Sequence, residues 1–223
     1  MAVNGSFNEP PASGPGVTRL LHISASPKGS ASASGQIASA FLEAYRATHP
    51  ADAVEALSVF DETLPEVGPD AVEAKFAPIY GYALEERHER AWDLVRAEVD
   101  RLKAADKIVI STPMWNFGIP YKLKQYFDVV VQPGLTFGYD PGAKRHLGLL
   151  KNAPTQLILT RSSIMPGDFA DFQLPYLKYV LEFMGITDVR MLTAWQTTKA
   201  DPAERQAYID RFAAEARTLA RKF

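Results

Sequence analysis

The sequence contains no cysteine. That absence excludes disulfide bridges, thiolate nucleophiles, Cys-ligated zinc and Cys-bound iron–sulfur clusters together, and it is consistent with an intracellular compartment. Positive charge is not in surplus either: 24 Lys and Arg stand against 26 Asp and Glu, for a formal net charge of -2. Without a run of basic residues the chain has no footprint for a phosphate backbone, so nucleic acid is not an expected partner. No apolar run is long enough to span a bilayer, and the first eighteen residues lack the basic and apolar regions of a signal peptide. A soluble, cytoplasmic protein is expected. The four histidines, His22, His49, His88 and His146, are scattered without metal-ligand spacing, so no metal is expected.

What is present fits one domain. The 223 residues, 47% of them hydrophobic, suffice for one substantial core. Residues 1–18, rich in Gly, Pro, Ser and Asn, read as a flexible tail, and residues 19–223 as the folded domain. From Arg19 short apolar runs alternate with amphipathic stretches, the pattern of an α/β domain with a parallel sheet. Strands are predicted at 19–24, 54–60, 107–112, 155–160 and 188–194, and helices at 34–47, 119–131, 174–184 and 202–222. Between 67 and 105, Pro78 and Gly81 divide a long helical stretch into a short helix and a stronger one from about 84 to 103. The charged run from Glu85 to Arg90 reads as a solvated helix face. Five strands with intervening helices suit a doubly wound, five-stranded parallel sheet with helices on both faces, for which right-handed crossovers and the order 2-1-3-4-5 are expected. That order gathers the carboxyl ends of strands one, three and four at the switch point, where ligands bind.

Three loops leave those ends. After strand one, Ser24 to Ser34 opens directly into a helix, and its hydroxyls and free N–H groups suit either a phosphate or ordinary helix capping. It carries neither a G-x-x-x-x-G-K-[ST] nor a G-x-G-x-x-G pattern. After strand three, Pro113-Met114-Trp115-Asn116-Phe117-Gly118-Ile119-Pro120 is stiffened by two prolines and crowds large apolar surfaces into a loop, with Gly118 permitting a sharp backbone path. A flat flavin ring would use such a platform, and so would a subunit interface. After strand four, Thr160-Arg161-Ser162-Ser163 can turn backbone donors toward the polar edge of the same ring, or form a plain surface turn.

At these residues the sequence resembles the FMN-dependent NADH-azoreductase and NADH:quinone oxidoreductase family, within the flavodoxin-like quinone reductases. The resemblance runs from about Leu20 to the last helix. It rests on Ala25-Ser26-Pro27-Lys28, Ser32-Ala33-Ser34, residues 104–110, the loop 113–120, the segment 132–139 and Pro175-Tyr176-Leu177. It implies FMN as cofactor, with Ser26, Ser32, Ala33 and Ser34 at the phosphate. Pro113, Met114, Trp115, Asn116 and Phe117 would lie at the ring, and Thr160, Arg161, Ser162 and Ser163 would complete the site. It further implies a ping-pong cycle from NADH or NADPH to a planar aromatic acceptor, a quinone or azo compound, and a homodimer whose second subunit adds to the wall. Asn116, Phe117, Tyr139 and Phe172 are the candidate catalytic residues. The chain departs from the family in having Ser162-Ser163 where two glycines are usual, and Met165 where His or Tyr is common.

Two other classes fit less well. A receiver domain needs acidic residues after strand one, where this chain has Ser24-Ala25-Ser26. A carrier flavodoxin usually presents a strongly acidic surface to its protein partner, and this chain is near neutral.

Overall fold

The computed structural model describes residues 16–81, 83–162 and 171–223. Five parallel strands form the central sheet: β1 (Arg19–Ser24), β2 (Ala53–Ser58), β3 (Lys107–Pro113), β6 (Thr155–Thr160) and β7 (Val189–Ala194). Their order is β2-β1-β3-β6-β7, which is the expected 2-1-3-4-5 topology. The difference in numbering comes from a hairpin that the sequence reading did not anticipate, β4 (Phe137–Asp140) and β5 (Arg145–Gly148). Its four-residue strands carry Pro and Gly at their edges and lack the apolar run of a buried strand. Asp140 turns the chain by accepting the N–H groups of Gly142 and Ala143 at 2.9 and 3.0 Å.

The connecting helices are α1 (Ala33–Thr48), α2 (Pro69–Tyr80), α3 (Glu86–Ala104), α4 (Tyr121–Val130), α5 (Gln173–Phe183) and α6 (Pro202–Ala220). Pro78 does not break α2: it sits inside the last turn, and the helix stops at Gly81, whose φ of +71° suits a residue without Cβ. Pro is tolerated there because only one hydrogen bond near the frayed end is lost. Helix α4 begins at Tyr121 rather than at Ile119, just past Pro120. Gly185 closes the segment after α5 as expected, with φ +104°. The charged start of α3 is paired on its surface, Arg87 with Glu85 and Asp70 at 3.0 and 3.2 Å, while His88 is buried with Nε2 3.1 Å from Glu73.

Alternate residues of the strands enter two separate apolar clusters, as the two-residue period of a strand requires. Leu21, Ile23, Ile108, Ile110, Leu157 and Leu159 pack with Val95 and Val99 of α3, Leu123 and Phe127 of α4 and Leu177 of α5. Leu20, Val109, Ile158 and Leu192 pack instead with Ile37 and Phe41 of α1 and Ile209 and Ala216 of α6. The second cluster lays α1 beside α6. It also brings their first turns together, where Gln206 Nε2 donates to Gln36 Oε1 at 2.9 Å.

Candidate functional site

The register of the strands decides which loops meet. Ser24 pairs with Ser111 across β1 and β3, and Pro113 with Thr160 across β3 and β6, so all three strands end at one level. The chain beyond is stitched to its neighbours: Ala25 N–H donates to Ser111 O at 2.9 Å and Met114 N–H to Thr160 O at 2.8 Å. One cavity of about 550 Å³ lies over these ends.

Its first wall is the turn before α1. Ser32 caps that helix, its Oγ accepting from Gly35 N–H at 2.9 Å while donating to Gly29 O at 2.8 Å. Gln36 N–H goes to Ser32 O. The N–H groups of Ala33 and Ser34 are left without a partner among the described residues, as the first turn of a helix leaves them. The turn is pressed tightly onto the helix: a Cβ at Gly35 would stand 2.1 Å from Gly29 O. Ser26, Ser32, Ala33 and Ser34 all line the cavity.

The second wall is Pro113, Met114 and Trp115. Trp115 and Gly118 exchange two backbone hydrogen bonds, 3.0 and 2.9 Å, around Asn116 and Phe117, whose φ values are +46° and +70°. Two successive left-handed residues inside such a pair are the pattern of a type I′ turn. The sharp path expected at Gly118 is therefore carried by Asn116 and Phe117 instead. The turn faces Trp115 and Asn116 into a second cavity of about 790 Å³, lined also by Tyr121, Lys124, Phe172 and Tyr176. Trp115 borders both cavities and packs near Phe60 and Tyr121 at centroid distances of 5.7 and 6.4 Å. Burial, with the charge of Asp128 adding to it, pushes the Tyr176 phenol up to about 12, so it stays protonated at neutral pH.

The third wall is Thr160 and Ser162. Ser163 and Met165 lie outside the described residues. Arg161 does not line the cavity: its guanidinium is 3% exposed, paired with Asp171 at 2.5 Å and stacked 4.2 Å from the Trp195 ring. Its N–H donates to Ala194 O, and its carbonyl accepts from Thr197 N–H and Oγ1. Phe117 is half exposed and lines neither cavity, but its carbonyl accepts the Phe172 N–H at 2.9 Å. Tyr139 lines neither cavity; it lies on β4 beside His146, at 5.5 Å between ring centroids.

A fourth wall was not foreseen. Thr197, Thr198 and Lys199, after β7, and Arg205, in the first turn of α6, line the first cavity. Arg205 Nε donates to Thr197 O at 3.1 Å, and its guanidinium has no ion pair among the described residues. Lys199 is 3.9 Å from Glu204, and Lys28 completes a set of three cations. No carboxylate lines this cavity among the described residues. The available signal was the polar triplet Thr197-Thr198-Lys199 at the carboxyl end of a strand, where ligand loops of such sheets lie. Among the described residues no group of three or more His, Cys, Asp or Glu side chains could hold a metal ion.

This arrangement, a parallel sheet with polar, cationic loops gathered at its switch point, is that of the flavodoxin-like class, and residues 18–219 match the family described as Flavodoxin-like fold. An FMN-dependent NADH:quinone oxidoreductase of Nitratidesulfovibrio vulgaris (strain DP4) is 40% identical over 208 residues, covering 92% of this chain and 99% of that protein. One from Bradyrhizobium diazoefficiens is 41% identical over 191 residues, with 83% and 91% covered. The chain belongs to the family of these FMN-dependent NADH:quinone oxidoreductases. Its structure is also similar to that of an azoreductase from Bacillus anthracis str. Sterne, with a TM-score of 0.82 and 27% identity over 93% of this chain and all of that one. An FMN-dependent NADH-azoreductase of Bacillus anthracis str. Ames Ancestor, solved in complex with FMN, gives a TM-score of 0.79 at 27% identity, covering 92% of this chain and all of that one.

Proposed function

We propose that this protein is an FMN-dependent oxidoreductase that carries electrons from NADH or NADPH to quinones, with azo compounds as further acceptors. The observation that carries the reading is the pair of adjoining cavities divided by Trp115, one cationic and rich in donors, the other apolar. The first fits FMN by its donor set: two unpartnered N–H groups, the hydroxyls of Ser26 and Ser34, and a guanidinium without an ion pair or an opposing carboxylate, while Ser32, its proton given to Gly29 O, holds the turn that presents them. Ala33, Ser34, Arg205, Lys199 and Lys28 would hold the phosphate. Pro113, Met114 and Trp115 would hold the ring, and Thr160 and Ser162 its remaining edge. Two core clusters, one with α1 and α6 and one with α3 to α5, support helices covering both faces and fix these walls on rigid elements.

Bound FMN supplies the two-electron relay between nicotinamide and acceptor. The protein's residues do the rest. Trp115, Phe172 and Tyr176 orient a flat ring in the apolar cavity, and the donor at Asn116 faces it, so that reacting atoms can be held at about 3 to 3.5 Å. One cavity serving donor and acceptor in turn makes the cycle ping-pong. Trp115, Phe117, Tyr121 and Phe172 form an exposed apolar rim that a second copy of the chain would cover, which we read as a homodimer completing the site. A cytoplasmic location, with ready access to NAD(P)H, belongs to the same proposal; no helix among the described residues is long and apolar enough to cross a membrane.

The test is to purify the protein, record its visible spectrum, identify the released cofactor and follow NAD(P)H oxidation with a small quinone. A colourless protein that fails to take up FMN would overturn the reading. In binding titrations, Ser34→Ala with Arg205→Gln should weaken FMN by about a hundredfold more than riboflavin, the worth of two charge-assisted hydrogen bonds at about 1.5 kcal/mol each. Equal losses for both ligands would remove these residues from the phosphate site.

A further inference from the structure

Arg161 holds one of the most enclosed charges in the molecule, and no step above uses it. Its Nη2 is 2.5 Å from Asp171 Oδ2, with both side chains almost wholly buried. Its Nε donates to Gln173 Oε1 at 3.3 Å, and the Gln173 amide, fully buried, donates onward to Thr112 O of β3 at 3.4 Å. The Trp195 ring covers the guanidinium face. The other carboxylate oxygen of Asp171 accepts the N–H groups of Gln173 and Leu174 at 3.0 and 3.1 Å and so fixes the start of α5.

Between Asp171 and Gln173 stands Phe172. Its neighbours on both sides are tied to Arg161, yet its own side chain is 64% exposed and lines the apolar cavity with Trp115 and Asn116. Its N–H is bound to Phe117 O, on the turn that carries Trp115. A buried, charge-assisted clamp thus ends in an exposed aromatic ring. Such a clamp is costly to bury unless its groups are paired, and here Arg161 Nε and Nη2, both carboxylate oxygens of Asp171 and both amide atoms of Gln173 have partners.

We propose that Arg161, acting through Asp171 and Gln173, is a positioning residue for the acceptor: it sets Phe172 as a wall of the cavity that Trp115 also lines, without touching cofactor or acceptor. The inference rests on the reading of the apolar cavity as the acceptor site. It gives Arg161, just past the end of β6, a part in choosing planar substrates.

The test compares FMN-loaded wild type with Asp171→Asn, which keeps the Oδ1 cap on α5 but removes the charge facing Arg161. Two measurements are made. A redox-inert planar anion, anthracene-2-sulfonate, is titrated calorimetrically, and enzyme reduced photochemically is mixed with a naphthoquinone or with ferricyanide, which accepts electrons without stacking. Asp171→Asn should weaken the anthracene probe and raise the concentration of naphthoquinone needed for half-maximal oxidation by about tenfold each. FMN affinity and the ferricyanide rate should stay within about twofold. In a Phe172→Ala background the further effect of Asp171→Asn on both planar ligands should vanish, because the clamp acts only through that ring. Should Asp171→Asn fold poorly, Gln173→Met, which leaves the ion pair in place, serves for the same comparison. A loss shared by ferricyanide or FMN, or one that persists without Phe172, would overturn the proposal. If Phe172→Ala itself leaves the probe and the quinone unaffected, the acceptor-cavity reading fails and the proposal with it.

Discussion

At the residue scale, burial makes some groups testable by pH alone. His22 of β1 is enclosed in the sheet with Nε2 2.9 Å from Ser111 Oγ. Burial, with repulsion from Arg46 adding to it, pushes the imidazole from 6.5 down to about 4. Between those two values the folded chain binds fewer protons than the unfolded one, so stability should fall as pH drops from about 6.5 to about 4 and level off below. The loss from this group is on the order of 3 kcal/mol. Urea unfolding measured at steps from pH 7 to pH 4 should show a shallower decline for His22→Gln than for wild type; parallel declines would place the acid sensitivity elsewhere. Other residues differ in how far sequence alone exposes their part. Ser32 and Ser34 are legible because a serine ahead of an amphipathic stretch has few local alternatives to capping. Arg161 is legible only as a loop residue, since the direction of a long side chain is chosen by partners 10 and 12 positions away.

At the element scale the turn 115–118 concentrates strain where function is proposed. Asn116 tolerates its left-handed backbone better than most residues, and Phe117 does not share that tolerance. Asn116→Gly should leave thermal unfolding nearly unchanged, whereas Asn116→Ala should cost about 1 kcal/mol. A calorimetric comparison in which both variants unfold alike would show that the turn relaxes. A different constraint, close approach of backbone rather than a left-handed φ, governs Gly148. Gly148 of β5 lies so close to Gly185 that a Cβ would stand 2.1 Å from its backbone nitrogen, which docks the hairpin against the end of α5. That hairpin was invisible in the sequence because its strands are short, open at one face and defined by what they rest on rather than by an apolar run. The inner strands β1, β3 and β6 were visible because their burial demands apolar runs, and the edge strands β2 and β7 by shorter apolar stretches between helical ones.

At the scale of the whole molecule, the open aromatic rim calls for a partner surface. Light scattering should give a particle of about twice the 24.6 kDa chain mass, and Tyr121→Glu, at an exposed position on the rim, should return it to the monomer. A monomeric wild type would confine the site to one chain. The sequence by itself determined the fold class, the strand order and the three loops at the switch point, because hydrophobic period and capping chemistry act over a few residues and right-handed crossovers leave few topologies. Only the tertiary structure decided that the cationic fourth wall closes the first cavity. Lys199 and Arg205 follow the edge strand β7, and it is the packing of α1 against α6 that carries them to the serine turn. It likewise decided that Arg161 turns inward to hold Phe172 and that Tyr139 stays with the hairpin. Those placements depend on contacts between residues far apart in the chain, for which no local pattern is required.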